Sequence, residues 1–70
     1  MNWIETPESS NIARFQYDEA NQVLTIEFSN GGTYEYYDVP EHIIEQFKAA
    51  SSKGQFLSQN IKGVYRYART

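Results

Sequence analysis

Hydrophobic and polar positions along this chain follow two periods. Over residues 11–17, 22–28 and 33–37 apolar or aromatic side chains alternate with polar ones, and over 41–50 and 55–61 they recur every three or four residues. Alternation sends successive side chains to opposite faces of a strand, whereas the longer spacing gathers them on one face of a helix. The chain therefore predicts three strands followed by two helices.

The stretch Gln22–Glu41 organises the rest. Leu24, Ile26 and Phe28 share one face of a strand, and Tyr34 and Tyr36 share one face of the next. Both sets belong on the core side. A two-residue Asn-Gly turn would pair Ile26 with Glu35 and bring a charge onto that side. The pattern instead predicts Phe28 opposite Tyr34, Ile26 opposite Tyr36, and a three-residue loop Asn30–Gly32 closed by a left-handed Gly32. The preceding strand, Asn11–Tyr17, turns Ala13, Phe15 and Tyr17 to the same side, and the four residues Asp18–Asn21 connect it with the required parity. The opposite sheet face carries Arg14, Gln16, Val23, Thr25, Glu27, Glu35 and Tyr37.

Asp38-Val39-Pro40-Glu41 combines a capping-type side chain, a proline suited to a first helical turn and a carboxylate near the positive end of the helix dipole. A helix should start within a residue of Pro40, with Ile43, Ile44, Phe47 and Ala50 facing the sheet. Gly54 is expected as the left-handed residue that ends it. Phe56, Leu57, Asn60 and Ile61 then mark a short second helix, and the alternating tail 63–70 is a fourth short edge strand or an extended arm. The fold class predicted is α+β: a three-stranded antiparallel meander with two helices packed on one face. Its core is expected at Phe15, Leu24, Ile26, Phe28, Tyr34, Ile43, Phe47, Phe56 and Ile61. Residues 1–8, with Pro7 and no period, read as an irregular arm whose Trp3 and Ile4 dock on a domain spanning residues 9–70.

Length and composition narrow the classes of function. Seventy residues make one small domain that buries only about 60% of its unfolded surface. With no cysteine, neither a disulfide nor a thiolate metal site braces it, and 16% aromatic content carries the burial. No apolar run reaches membrane-spanning length, and Met1–Glu8 lacks the basic and apolar regions of a signal peptide. A cytoplasmic protein without a membrane partner is expected. Charge is divided. Residues 1–50 hold all nine carboxylates against Arg14 and Lys48, a local net charge of −7, and residues 51–70 hold Lys53, Lys62, Arg66 and Arg69 without an acid, a local net charge of +4.

The ordered set Ser9-Ser10, Ile12, Tyr17, Leu24–Phe28, Gly32, Tyr34-Glu35-Tyr36, Val39-Pro40, Ala50, Ser52, Gly54, Phe56, Ile61 and Tyr65 resembles the KTSC domain. Two places depart from that pattern: Leu57-Ser58 where the family often has Phe-Asn, and Arg66, between two tyrosines, where it often has proline. The resemblance implies a bacterial or phage module of about this length, found free-standing or at the C-terminus of some lysyl-tRNA synthetases. It implies no defined chemistry; RNA binding is suggested by the synthetase association.

The residues themselves offer little to an enzyme. His42, the only histidine, falls in the first turn of a helix without a visible serine–carboxylate or metal-ligand partner set, and Asn30-Gly31-Gly32 lacks a P-loop lysine. A non-enzymatic binding module without metal or cofactor is expected. Lys53, Lys62, Arg66 and Arg69 interleaved with Tyr65 and Tyr67, together with Tyr37 on the open sheet face, are the candidate nucleic-acid contacts, RNA first. Ser52 and Gly54 shape the turn between the helices, or lend backbone N–H groups to a phosphate. The same basic tail could instead fold back on the acidic half. A module that offers an acidic surface to a basic protein partner is the alternative function.

Overall fold

The computed structural model describes residues 3–70; Met1 and Asn2, part of the expected arm, lie outside the described residues. Five strands, β1 (Ile4–Glu5), β2 (Ile12–Asp18), β3 (Val23–Phe28), β4 (Thr33–Tyr36) and β5 (Tyr67–Arg69), lie side by side in chain order, every neighbour antiparallel. Between β4 and β5 come α1 (Glu41–Ala49) and α2 (Lys53–Asn60). The tail is thus an edge strand. At the other edge, residues 4–5 pair with β2 where an irregular arm was expected, because two residues are too few to show a period.

Alternation governs the centre. Phe15, Leu24, Ile26 and Tyr36 are buried on one face, against Ile44 and Phe47 of α1, Leu57 of α2, and Val39 and Ile61 beside the helices. Phe15 and Phe47 meet edge to face at 4.8 Å, the main aromatic joint between sheet and helix. Leu57 and Ile44 are fully buried, and Phe56 and Ile43, expected in the core, pack half-buried on its rim.

The hairpin register differs from expectation by two residues. Ile26 faces Tyr34 and Leu24 faces Tyr36, so the core face keeps its membership while every pair shifts. The loop is Ser29–Gly31, and the left-handed residue is Gly31, with φ of 97°, rather than Gly32. Gly31 donates to the Phe28 carbonyl at 2.9 Å and Phe28 donates to that of Gly32 at 2.8 Å, the type I turn with a glycine bulge anticipated one residue later. Asn30 braces this turn, its Oδ1 accepting from the Gly32 N–H at 3.0 Å. Replacing Gly31 by alanine should cost about 1–2 kcal/mol of stability. Gly32→Ala should cost less, and denaturant titrations in which it costs more would contradict the observed turn.

Two further departures have clear causes. A bulge between Ile12 and Arg14 turns Ile12, not Ala13, into the core. The carbonyls it leaves unpaired are taken by Thr6, whose buried hydroxyl donates to Ile12 O at 2.7 Å and whose N–H donates to Ala13 O at 3.1 Å. Helix α1 starts directly after Pro40, but the Asp38 side chain bonds Arg66 rather than the helix N-terminus. Gly54 does not end α1. The helix stops at Ala50 in extended conformation, Ser52 caps α2 by accepting from Gln55 N–H at 3.3 Å, and Gly54 lies within α2's first turn.

Candidate nucleic-acid interface

The helices cover Leu24, Ile26 and Tyr36 but leave the Phe28–Tyr34 end of the hairpin only partly covered. Beside that end runs β5, in which Tyr67 stands opposite Tyr36 and Arg69 opposite Tyr34. Strand alternation therefore puts Tyr67 and Arg69 on the helix side of the sheet, and Arg66 and Ala68 on the open side. Phe28, Tyr34, Tyr36 and Tyr67 line a groove of about 440 Å³ together with Asn30 of the hairpin loop and Lys62 and Gly63 of the segment after α2.

Its rings form a connected set. Phe28 and Tyr34 meet edge to face at 5.6 Å, and Tyr67 lies 5.8 Å from Tyr34 and 5.9 Å from Tyr36, tilted to both. Tyr67 is the open member, 59% exposed. Burial, reinforced by the neighbouring Tyr34 and Tyr67 phenols, raises the Tyr36 pKa, so this ring is neutral at physiological pH. The Arg69 guanidinium lies 6.0 Å over the Tyr34 ring.

The basic residues differ in what already holds them. Arg14 pairs with Glu27 at 2.9 Å, Lys48 with Glu45 at 3.9 Å, Lys53 with Glu8 at 3.6 Å and Arg66 with Asp38 at 3.1 Å. Lys62, which lines the groove, and Arg69, which lies over Tyr34, have no carboxylate within ion-pair distance among the described residues.

The structure thus separates the seven residues singled out from sequence. Lys62 and Tyr67 line one groove, and Arg69 lies over the ring of Tyr34, which lines it too. Tyr37 and Arg66 lie on the open face, where Tyr37 donates to Glu35 Oε1 at 3.0 Å and Arg66 stacks 5.2 Å over its ring; that hydrogen bond is the main cause of the raised Tyr37 pKa. Tyr65 packs half-buried on the core, and Lys53 is largely buried beside Glu8. Phe28, Tyr34, Tyr36 and Asn30 were not among the sequence candidates. The signal that joins them to the site is the register of β5, which tail alternation alone does not supply.

A second, polar cleft of about 160 Å³ brings Glu8–Asn11 against Ser51–Gly54. Ser9 Oγ accepts from Ile12 N–H and donates to Asn11 Oδ1, each at 3.2 Å, and Asn11 lies so close to Gly54 that a Cβ there would overlap its amide. Glycine at 54 is required by this approach rather than by left-handed backbone. Gly54→Ala should cost on the order of 1 kcal/mol in the parent. In an Asn11→Ala background it should cost nothing or stabilise, since alanine is the better helix former. Equal costs in both backgrounds, measured as a double-mutant cycle, would contradict the contact. His42 stands exposed on α1, and among the described residues no group of three His, Cys, Asp or Glu is placed to hold a metal ion. No helix of the described residues is long and apolar enough to cross a membrane.

The family model of the KTSC domain matches residues 8–65. The chain belongs to the KTSC family. Its fold agrees with the crystal structure of a KTSC domain protein from Yersinia pestis, with a TM-score of 0.93 at 36% identity over 99% of this chain and 96% of that one. In sequence it is 44% identical over 61 residues to a lysine–tRNA ligase of Nostoc punctiforme, a match covering 87% of this chain but 11% of the ligase. A protein of Tsukamurella paurometabola is 41% identical over 59 residues, covering 84% of this chain and 88% of its own length. The KTSC domain therefore occurs both as a small protein of this size and as a minor part of a much longer enzyme. The polar cleft brings together the Ser9-Ser10 and Ser52-x-Gly54 pieces of the KTSC pattern, about forty residues apart in the chain.

Proposed function

We propose that the protein is a non-enzymatic nucleic-acid-binding module, with RNA as its ligand and the Lys62–Arg69 side of the molecule as its contact surface. The observation that carries this reading is the distribution of ion pairs. Among the described residues four of the six Lys and Arg side chains are matched to carboxylates; of the other two, Lys62 lines a groove of aromatic rings and Arg69 lies over Tyr34, one of those rings. Cations beside exposed aromatic faces are the pairing that single strands use, phosphate to charge and base to ring. The kinship with a segment of a lysine–tRNA ligase supports RNA as the polyanion. A chain with net charge −3 can hold a polyanion only through such a local patch, so modest affinity is expected.

Titration of the protein with RNA, tRNA and duplex DNA at low and moderate salt tests the reading. Binding should weaken as salt rises, with a slope of about 0.7 per phosphate contact on a single strand. Absence of binding to all three at low salt would reject it and leave a protein partner as the class to pursue.

A further inference from the structure

The geometry points to a more specific ligand at the same surface: we infer that the groove seats one unpaired base of an RNA strand, stacked on Tyr67, with Lys62 and Arg69 on the adjoining phosphates. This rests on the nucleic-acid reading above and goes beyond it by excluding the duplex. In an A-form helix the bases are stacked on one another and present only their edges, so ring faces set in a concave groove can be reached only by a base splayed out of the stack. The volume of about 440 Å³ falls within the roughly 300–1,000 Å³ of small-ligand sites, room for a nucleoside rather than a run of bases.

The groove's own parts have distinct roles. Tyr34 and Tyr36 are held by the sheet and by their neighbours, whereas Tyr67, on the three-residue edge strand, offers the exposed ring. Lys62 lines the groove from the segment after α2, and Arg69 lies over Tyr34 from the end of β5, so the two cations come from different elements and are assigned to different phosphates of the strand. Asn30 uses its Oδ1 on the Gly32 N–H, which leaves its amide hydrogens as the groups it can offer a base acceptor.

Fluorescence anisotropy with the whole chain separates the outcomes, using an RNA of about eight nucleotides, its blunt duplex and the same strand with abasic positions. The single strand should bind at least about tenfold more tightly than the duplex or the abasic strand. Tyr67→Ala should weaken single-strand binding by about tenfold with the salt slope unchanged, and Tyr67→Phe should restore it. The abasic strand keeps the protein intact, so the test stands even if Tyr67→Ala loosens β5. If parent and Tyr67→Ala bind single strand, duplex and abasic strand alike, with salt dependence retained, the base seat is wrong and the phosphate surface survives. Failure of every probe at low salt overturns both.

Discussion

Replacing Phe47 by alanine should lower the stability of this protein by roughly 3–5 kcal/mol. Phe47 is fully buried, edge-on to Phe15 of β2 at 4.8 Å and 6.0 Å from Phe56 of α2, so one side chain joins α1 to both the sheet and the second helix. The tight turn between the helices, and the Tyr17 hydroxyl that donates to Val39 O at 2.6 Å ahead of α1, leave the surrounding backbone little freedom to collapse into the space. Domains of this size have a total stability of about 5–15 kcal/mol, and a loss of that order unfolds much of the population at the low end. Phe56→Ala, at a half-buried position, should cost distinctly less. Urea denaturation of the two variants checks both statements; a Phe47→Ala protein as stable as the parent would contradict the core described here.

Neutralising Lys62 and Arg69 together, as Lys62→Gln with Arg69→Gln, should reduce RNA affinity at least about tenfold, because a hydrogen bond to a charged partner is worth about 1.5–3 kcal/mol. The salt slope should fall by about 1.4, or 0.7 for each of two phosphate contacts. Thermal stability should barely change, since both residues are exposed and neither is in an ion pair among the described residues. Arg66→Gln is the contrasting variant. It breaks an ion pair with Asp38 in which both side chains are 75% exposed, an interaction worth about 0–1 kcal/mol, on the sheet face away from the groove. Binding should survive it. A double variant that binds as the parent does, or an Arg66→Gln protein that loses RNA, would move the contact surface to the open face.

What the sequence discloses here is parity, and what it withholds is register. The identity of the core face followed from Leu24, Ile26, Tyr34 and Tyr36, because only an odd slip would put Glu35 among them. An even slip changes no face. Two three-residue loops, each ending on a glycine, satisfied the pattern equally, and the side-chain bond from Asn30 to Gly32 accompanies the one that forms. The bulge near Ala13 inverted the parity of a single residue, which is why Ile12 was not read as core. Local pattern alone makes Gly54 a helix terminator, whereas what crowds this position is Asn11, forty-three residues away in the chain. The same limit applies to the candidate site. Lys62, Tyr67 and Arg69 were visible as a basic and aromatic tail, but their separation from Arg66 and their union with Phe28 and Tyr34 depend on β5 pairing with β4 at a definite offset.

Amide chemical-shift mapping on isotope-labelled protein, during titration with a short single-stranded RNA at low salt, tests the central claim most directly. Shifts should concentrate at Asn30, Lys62, Gly63, Tyr67 and Arg69, around the aromatic groove. Shifts confined to Thr25, Glu27, Glu35 and Tyr37 on the open sheet face, or no shifts at all, would contradict it.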